Sequence, residues 1–163
     1  MKIVILIMKL DLKKLGISLL IPLFVGYLGS TFTISQISTW YAGINKPGLL
    51  PPNGIFGPVW TILYILMGIA FYLVWQVKTK KDKKIAFYFF VIQLVLNLLW
   101  SIIFFNYHWL LLAVLEIIFL WIMILMTIFE FKRISKTAAI LLWPYLAWVS
   151  FASYLTIAVW LLN

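Results

Sequence analysis

The sequence predicts an all-α integral membrane protein, a bundle of five transmembrane helices with an ordered loop between the first two. Hydrophobic residues make up 66% of the 163 residues and charged residues 10%, and the mean hydropathy is +1.12. Soluble domains are roughly 45–50% apolar and about 25% charged. Several windows also exceed the ~18 uncharged residues that mark a membrane-spanning helix. We therefore treat residues 1–163 as one membrane domain.

Five apolar segments are long enough to cross a bilayer. The predicted spans are residues 15–35, 58–77, 85–105, 109–129 and 138–162. Segments of this length cover a hydrocarbon core of ~30 Å with some tilt. Pro22 and Pro144 lie within spans, where neighbouring helices can satisfy a freed carbonyl, and we expect Pro144 to kink the fifth span.

The first residues superficially resemble a signal peptide, because Lys2 precedes a short apolar run. The run from Ile3 to Met8 is too short, and no small-residue cleavage site follows it. We expect a short amphipathic lead-in to the first span.

The basic residues predict the orientation of the bundle. With five spans, all Lys and Arg residues except Lys46 fall on one side, in the N-terminal segment and in the second and fourth loops. Such residues concentrate in short cytoplasmic loops. We predict a bacterial-type inner membrane protein with its N-terminus in the cytoplasm and its C-terminus outside.

Charge and composition also exclude some partners. The net charge of +9 is divided among separate juxtamembrane clusters, which favours anionic lipid headgroups over nucleic acid. Without cysteine, and with His108 as the single histidine, we expect no metal site and no resident cofactor.

The connection between the first two spans, WYAGINKPGLLPPNGIFGPVW, concentrates the helix breakers. It holds four of the six prolines and four of the eight glycines, together with Trp40, Tyr41 and Trp60. Loops of this length are usually functional or disordered. The aromatic residues favour an ordered lid over the helix bundle, and the alternative is that they only form the interfacial aromatic belt.

Polar and aromatic stripes predict what lies beneath this loop. Gln93, Asn97 and Ser101 recur at helical spacing in the third span, with Trp100 beside them. Polar side chains in a membrane helix face the bundle or a cavity. Such a lining suits a flat apolar ligand that a few amides orient. The alternative for these amides is interhelical hydrogen bonding.

Aromatic stripes follow the second and fifth spans. Trp60, Tyr64 and Gly68 share a face of the second span, where Gly68 allows a close backbone approach, and Trp148 lies on an inward face of the fifth. Simple packing is the alternative for both stripes.

Glu116 is the acidic residue that lies well inside a span. A charged carboxylate there is expensive, so an embedded acid is by default a functional candidate. The alternative is a protonated side chain bonded to a neighbouring helix. No catalytic arrangement of Ser, His and Asp, no paired carboxylates and no phosphate-binding glycine loop appears. We therefore do not predict an enzyme.

Four segments resemble the TspO/MBR family, the tryptophan-rich sensory proteins and mitochondrial translocator proteins. They are the loop and second helix (residues 40–75), QLVLNLLWSIIFF, the acidic position of Glu116 and LLWPYLAWVSFASYLTIAVWLLN. The resemblance implies a homodimeric five-helix bundle that binds porphyrins such as haem beneath the first loop. The pocket positions that it implies are Trp40, Tyr41, Trp60, Asn97, Trp100, Trp148 and Ala152.

The resemblance also has limits. Some bacterial relatives are reported to break down protoporphyrin in light, with tryptophans that match Trp60 and Trp148. Leu49 stands where the family often has a tryptophan, and the C-terminal end lacks the basic residue of a proposed cholesterol motif. This absence argues against a cholesterol role.

Three functions stay open on the sequence. The first is a tetrapyrrole-binding sensor or regulator. The second is a small proton-coupled transporter that uses Glu116. The third is a membrane scaffold for which the bundle is only a docking surface.

Overall fold

The computed structural model describes residues 10–163. The predicted lead-in from Ile3 to Met8 lies outside these residues. The described chain is helical, without a β-strand between residues 10 and 163. Its elements, in order, are α1 (Leu12–Ile37), α2 (Trp40–Gly43), a 3₁₀ turn (Asn53–Ile55), α3 (Phe56–Gln76), α4 (Lys84–Ser101), a π-helical turn (Ile102–Asn106), α5 (Leu110–Ile134), α6 (Lys136–Leu141) and α7 (Trp143–Leu162).

The five-span architecture is confirmed. Five helical segments are long and apolar enough to cross a membrane: Leu12–Ile37, Asn53–Gln76, Lys84–Asn106, Leu110–Ile134 and Lys136–Leu162. The boundaries extend the predicted ones by a few residues at several ends. For α1 the reason is a cap, since the Asp11 carboxylate accepts a hydrogen bond from the Lys14 backbone N–H at 3.1 Å. The same hydrogen bond lowers the pKa of Asp11.

The fifth span is divided where Pro144 predicts an interruption. α6 ends at Leu141, and α7 begins at Trp143 with Pro144 in its first turn. A proline is tolerated there because the first N–H groups of a helix have no intrahelical partner. The break places Tyr145 at the centre of the bundle, where it is fully buried.

The two ends of the bundle differ in character. The loop end carries residues 38–55, the reversal at residues 107–109 and the end of α7, and the lysine end carries residues 77–83 and 135. Near the lysine end, the Phe90 ring stacks on Phe71 at 4.7 Å and on Phe131 at 5.7 Å between centroids. This half of the bundle is filled by side chains.

At Gly68 the backbones of α1 and α3 come into close contact. A Cβ atom at this position would lie 2.8 Å from the Leu19 Cα and 2.8 Å from the Ser18 carbonyl oxygen. Both of these atoms belong to the facing backbone, which cannot move aside as a flexible side chain can. The prediction that Gly68 permits a close helix approach agrees with this geometry.

Gly68→Ala is therefore expected to destabilise the bundle. Overpacking of a tight contact typically costs about 1–3 kcal/mol, which should appear as a lower midpoint of thermal unfolding in detergent. Gly16→Ala is the matched control, because no atom lies within 4 Å of a Cβ at position 16. An equal midpoint in the two variants would contradict the proposed role of Gly68.

Candidate functional site

A cavity of about 370 Å³ occupies the loop end of the bundle. Its wall is built by α1, α3, α4 with the π-helical turn, α7 and the segment that joins α1 to α3. The wall includes polar residues, aromatic residues, aliphatic residues and small residues: Gly26, Tyr27, Gly29, Ser30, Thr33, Ile34, Tyr41, Asn53, Gly57, Trp60, Thr61, Tyr64, Asn97, Trp100, Ser101, Phe104, Phe105, Trp148, Ala152 and Thr156.

Six of the eight side chains predicted for ligand binding lie on this wall. They are Tyr41, Trp60, Asn97, Trp100, Trp148 and Ala152. They come from four separate parts of the chain, and the fold brings them around one space. Their role in binding a ligand stays a prediction.

The other two predicted residues, Trp40 and Gln93, lie off the cavity wall. The Trp40 ring stacks on His108 with a centroid distance of 4.1 Å, and its edge contacts Phe104 at 5.5 Å. Trp40 thus joins α2 to the reversal before α5. Gln93 is 1% exposed and lies two hydrogen bonds from Asn97 on the cavity wall, through the Tyr145 hydroxyl.

A directed chain of hydrogen bonds forms the polar floor of the cavity. The Tyr64 hydroxyl donates to Asn97 Oδ1 at 2.5 Å, and Asn97 Nδ2 donates to the Tyr145 hydroxyl at 3.1 Å. The Tyr145 hydroxyl in turn donates to Gln93 Oε1 at 2.9 Å. The Asn97 and Gln93 amides on α4 are therefore hydrogen-bonded to tyrosines from α3 and α7. This chain fixes the orientation of the Asn97 amide, with Oδ1 toward Tyr64 and Nδ2 toward Tyr145.

Sequence reasoning missed Tyr145 and treated Tyr64 as packing. A signal was available, because two amides four residues apart in an apolar helix require hydrogen-bond partners on other spans. Tyrosine hydroxyls can both donate and accept, and so can link two amides. The sequence could not show which of the eight tyrosines would do so.

Aromatic rings form the sides of the cavity. Trp60 stacks on Tyr64 with centroids 5.6 Å apart and meets the Tyr145 ring edge-on at 6.2 Å. On the α4 side, Trp100 stacks on Phe104 at 5.2 Å. These contacts hold the rings in fixed planes, so that the space between them has flat apolar walls.

The π-helical turn at the end of α4 supplies two further wall residues. The Tyr107 N–H donates to the Ile102 carbonyl at 3.0 Å, a five-residue spacing that replaces the α-helical one. Phe104 and Phe105 are consecutive, yet both are buried and both line the cavity. The following reversal places His108 at φ 57°. Phe105 was not predicted, since regular helical spacing turns it away from Asn97.

The segment between α1 and α3 is tied down at two points. The Lys46 ammonium donates to the carbonyls of Tyr41, Ala42 and Ile44 at 2.6–3.1 Å, which satisfies the C-terminal end of α2. Asn45 and Asn163 exchange hydrogen bonds of 3.0 Å, which join this segment to the end of α7.

Tyr41, near the start of this segment, is buried and contributes to the cavity wall. Burial raises the pKa of its phenol, so the hydroxyl stays protonated near neutral pH. The ordered lid remains a prediction, supported by these contacts.

Glu116 lies on the inward face of α5 and is 9% exposed. Neither carboxylate oxygen has a hydrogen-bond partner among the described residues. Glu116 is not part of the cavity wall. Within residues 10–163, no group of three His, Asp or Glu side chains could hold a metal ion.

Comparison with known proteins identifies related sequences. The family model described as TspO/MBR family matches residues 18–161. A tryptophan-rich protein TspO from Archaeoglobus fulgidus is 45% identical over 154 residues, which cover 94% of this chain and 99% of the relative.

More distant relatives extend across other lineages. The translocator protein of Homo sapiens is 35% identical over 136 residues, 82% of this chain and 80% of the relative. A tryptophan-rich sensory protein from Cereibacter sphaeroides is 30% identical over 138 residues, 85% of each chain.

Tyr145→Phe tests the polar floor. The substitution leaves an Asn97 N–H and Gln93 Oε1 without their partner, and interhelical hydrogen bonds in membranes average about 0.6 kcal/mol each. We expect a loss of about 1 kcal/mol in unfolding free energy, measured by denaturation in mixed micelles. Tyr154→Phe is the control, because Tyr154 is 45% exposed on the same helix. Equal stability of the two variants would contradict the role of this chain of hydrogen bonds.

Proposed function

The chain belongs to the TspO/MBR family of membrane proteins, and from this premise we propose that it binds tetrapyrroles, such as porphyrin or haem, as a membrane receptor with a sensory or regulatory role. The observation that carries the proposal is the cavity flanked by Trp60, Trp100 and Trp148 at the loop end of the bundle.

The dimensions and lining of the cavity support this ligand class. A volume of about 370 Å³ lies within the roughly 300–1,000 Å³ of small-molecule sites. Flat aromatic walls provide stacking area for a planar macrocycle. Asn97 and Tyr64 on the floor supply polar groups that can orient the ligand. Such a division between apolar walls and few polar groups is typical of small-molecule sites.

Binding, and not catalysis, is the role that we propose. The relatives named above carry the names of translocator and sensory proteins, and none is named as an enzyme. The porphyrin or haem is a ligand in this proposal, and the protein needs no resident cofactor for it.

We also propose a location and an assembly state. Among the described residues, every Lys and Arg except Lys46 lies at the lysine end, where α1 also begins. This distribution supports a cytoplasmic N-terminus in an inner membrane. A homodimer is proposed from the family resemblance. Impermeant labelling of a cysteine introduced at Gly48, and the mass of the detergent-solubilised protein, would check these two proposals.

Tryptophan substitutions test the ligand site directly. Trp60→Ala and Trp148→Ala remove stacking surface from the wall, and we expect each to weaken protoporphyrin IX binding about tenfold, which corresponds to ~1.4 kcal/mol. Saturable quenching of tryptophan fluorescence in nanodiscs provides the measurement.

A matched variant is available for this experiment. Trp109→Ala removes an indole that is 57% exposed and lies away from the cavity, and we expect it to bind as the wild type does. Unchanged affinity in both cavity variants would reject the proposed site.

A second candidate function, proton-coupled transport, is favoured by one observation. Glu116 is buried in a span without a hydrogen-bond partner among the described residues. Embedded acids of this kind often carry protons in transporters.

Glu116→Gln distinguishes the two functions, since it keeps the size of the side chain but cannot carry a proton. If Glu116 carries protons, the variant should lose porphyrin uptake driven by a pH gradient in proteoliposomes while it retains binding. Glu130→Gln is the control, because Glu130 forms an ion pair with Arg133 at 2.8 Å near the end of the same helix. Normal uptake by Glu116→Gln would exclude this role.

A further inference from the structure

The cavity wall is closed on one side and open on the other. On α4 and α7, wall residues such as Asn97, Phe104 and Thr156 are 1–4% exposed. On the opposite side, Tyr27 and Ile34 of α1 line the same cavity but are 65% and 68% exposed. Thr61 of α3 is also both exposed and part of the wall. Side chains can face both the cavity and the surroundings only where the wall is incomplete.

The opening lies between α1 and α3 at the depth of the bilayer. Tyr27 is ten residues before the end of α1 and Thr61 is five residues after the start of α3. At a rise of 1.5 Å per residue, these positions are about 15 Å and about 8 Å from the helix ends. Both are inside segments that cross the membrane. The opening therefore faces lipid chains in the leaflet at the loop end.

The opening is bounded toward the lysine end by two glycine contacts. A Cβ atom at Gly26 would collide with the Tyr64 ring, and one at Gly68 would collide with the α1 backbone. The helices are thus in contact below the cavity and separated beside it. The contacts at Gly26 and Gly68 therefore mark the edge of the opening on the side of the lysine end.

The serine and threonine hydroxyls along this edge of the cavity are hydrogen-bonded within their own helices. Thr61 Oγ1 donates to the Gly57 carbonyl at 2.9 Å, Ser30 Oγ to the Tyr27 carbonyl at 2.7 Å, and Thr33 Oγ1 to the Gly29 carbonyl at 3.1 Å. Hydroxyls bonded within their own helix add little cost to an apolar passage. None of Tyr27, Ser30, Ile34 and Thr61 carries a charge.

We propose that the gap between α1 and α3, bounded by Tyr27, Ile34 and Thr61, is a lateral portal through which a flat apolar ligand dissolved in the bilayer reaches the cavity. The proposal rests on the proposed function for the identity of the ligand. The competing route runs from water past the segment between α1 and α3, where Asn53 and Gly57 are exposed wall residues.

The absence of cysteine from the sequence permits single-site blocking. Thr61→Cys modified with a bulky maleimide obstructs the portal, and Asn53→Cys modified in the same way obstructs the route from water. Ile62→Cys is the matched control, because Ile62 is 58% exposed beside Thr61 but is not on the cavity wall.

Stopped-flow fluorescence with protoporphyrin IX in lipid vesicles provides the rates. Modified Thr61→Cys should slow both association and dissociation by about tenfold, as expected for a blocked passage. Modified Ile62→Cys should retain wild-type rates, and modified Asn53→Cys should slow binding less than modified Thr61→Cys does. Slowing at Asn53 that equals or exceeds the slowing at Thr61, or wild-type rates in all three, would overturn the portal.

A second measurement does not depend on porphyrin binding. Ala152→Cys places a thiol on the α7 wall, opposite the gap, where the native residue is 8% exposed. A membrane-soluble maleimide should modify it in vesicles at least about tenfold faster than a charged, water-soluble thiosulfonate, as expected for access through lipid alone. Equal rates, or no modification by either reagent, would contradict the portal. If the wild-type protein binds no protoporphyrin while Ala152→Cys is labelled preferentially by the membrane-soluble maleimide, the ligand would be rejected and the portal retained.

Discussion

The contact between α1 and α3 at Gly68 is the constraint on which the shape of the bundle depends. The absence of a Cβ atom lets Gly68 approach the Leu19 and Ser18 backbone, and small residues provide such approaches where lipid supplies no hydrophobic force between helices. Toward the loop end, both helices instead line the cavity. The bundle is thus in close contact on the lysine side of the cavity, at Gly68 and at Gly26, and encloses space on the loop side.

The floor of the cavity shows how polar groups are accommodated in this setting. Tyr64, Asn97, Tyr145 and Gln93 form one chain of three hydrogen bonds across three helices, and a chain of this kind specifies the relative rotation of those helices as well as stabilising them. Glu116 is the contrasting case, since its buried carboxylate has no such partner among the described residues. The two arrangements suggest different uses: the first defines a rigid surface, and the second retains a group whose protonation can change.

The loop end is shaped by departures from regular helix. The π-helical turn at Ile102–Asn106 directs both Phe104 and Phe105 inward, and the stacking of Trp40 on His108 fixes α2 against the reversal that follows. The exchange of hydrogen bonds between Asn45 and Asn163 joins the first connection to the last helix. Because these contacts link distant parts of the chain, the mouth of the cavity is defined by the whole bundle.

Hydropathy and the spacing of prolines were sufficient to predict the five spans, the break at Pro144 and the close approach at Gly68, because burial in lipid and steric exclusion act on local sequence. Six of eight predicted site residues lie on one cavity for a related reason, since polar and aromatic stripes identify an inward face. The partners of those residues were not predictable. Helical spacing predicts that Asn97 and Gln93 lie on the same face of α4. Which side chains bond to them, Tyr64 and Tyr145, depends on how three helices rotate and pack. The inward turn of Phe105, the displacement of Trp40 from the cavity and the gap between α1 and α3 were likewise decided by tertiary structure, because each depends on distances between segments that are remote in sequence.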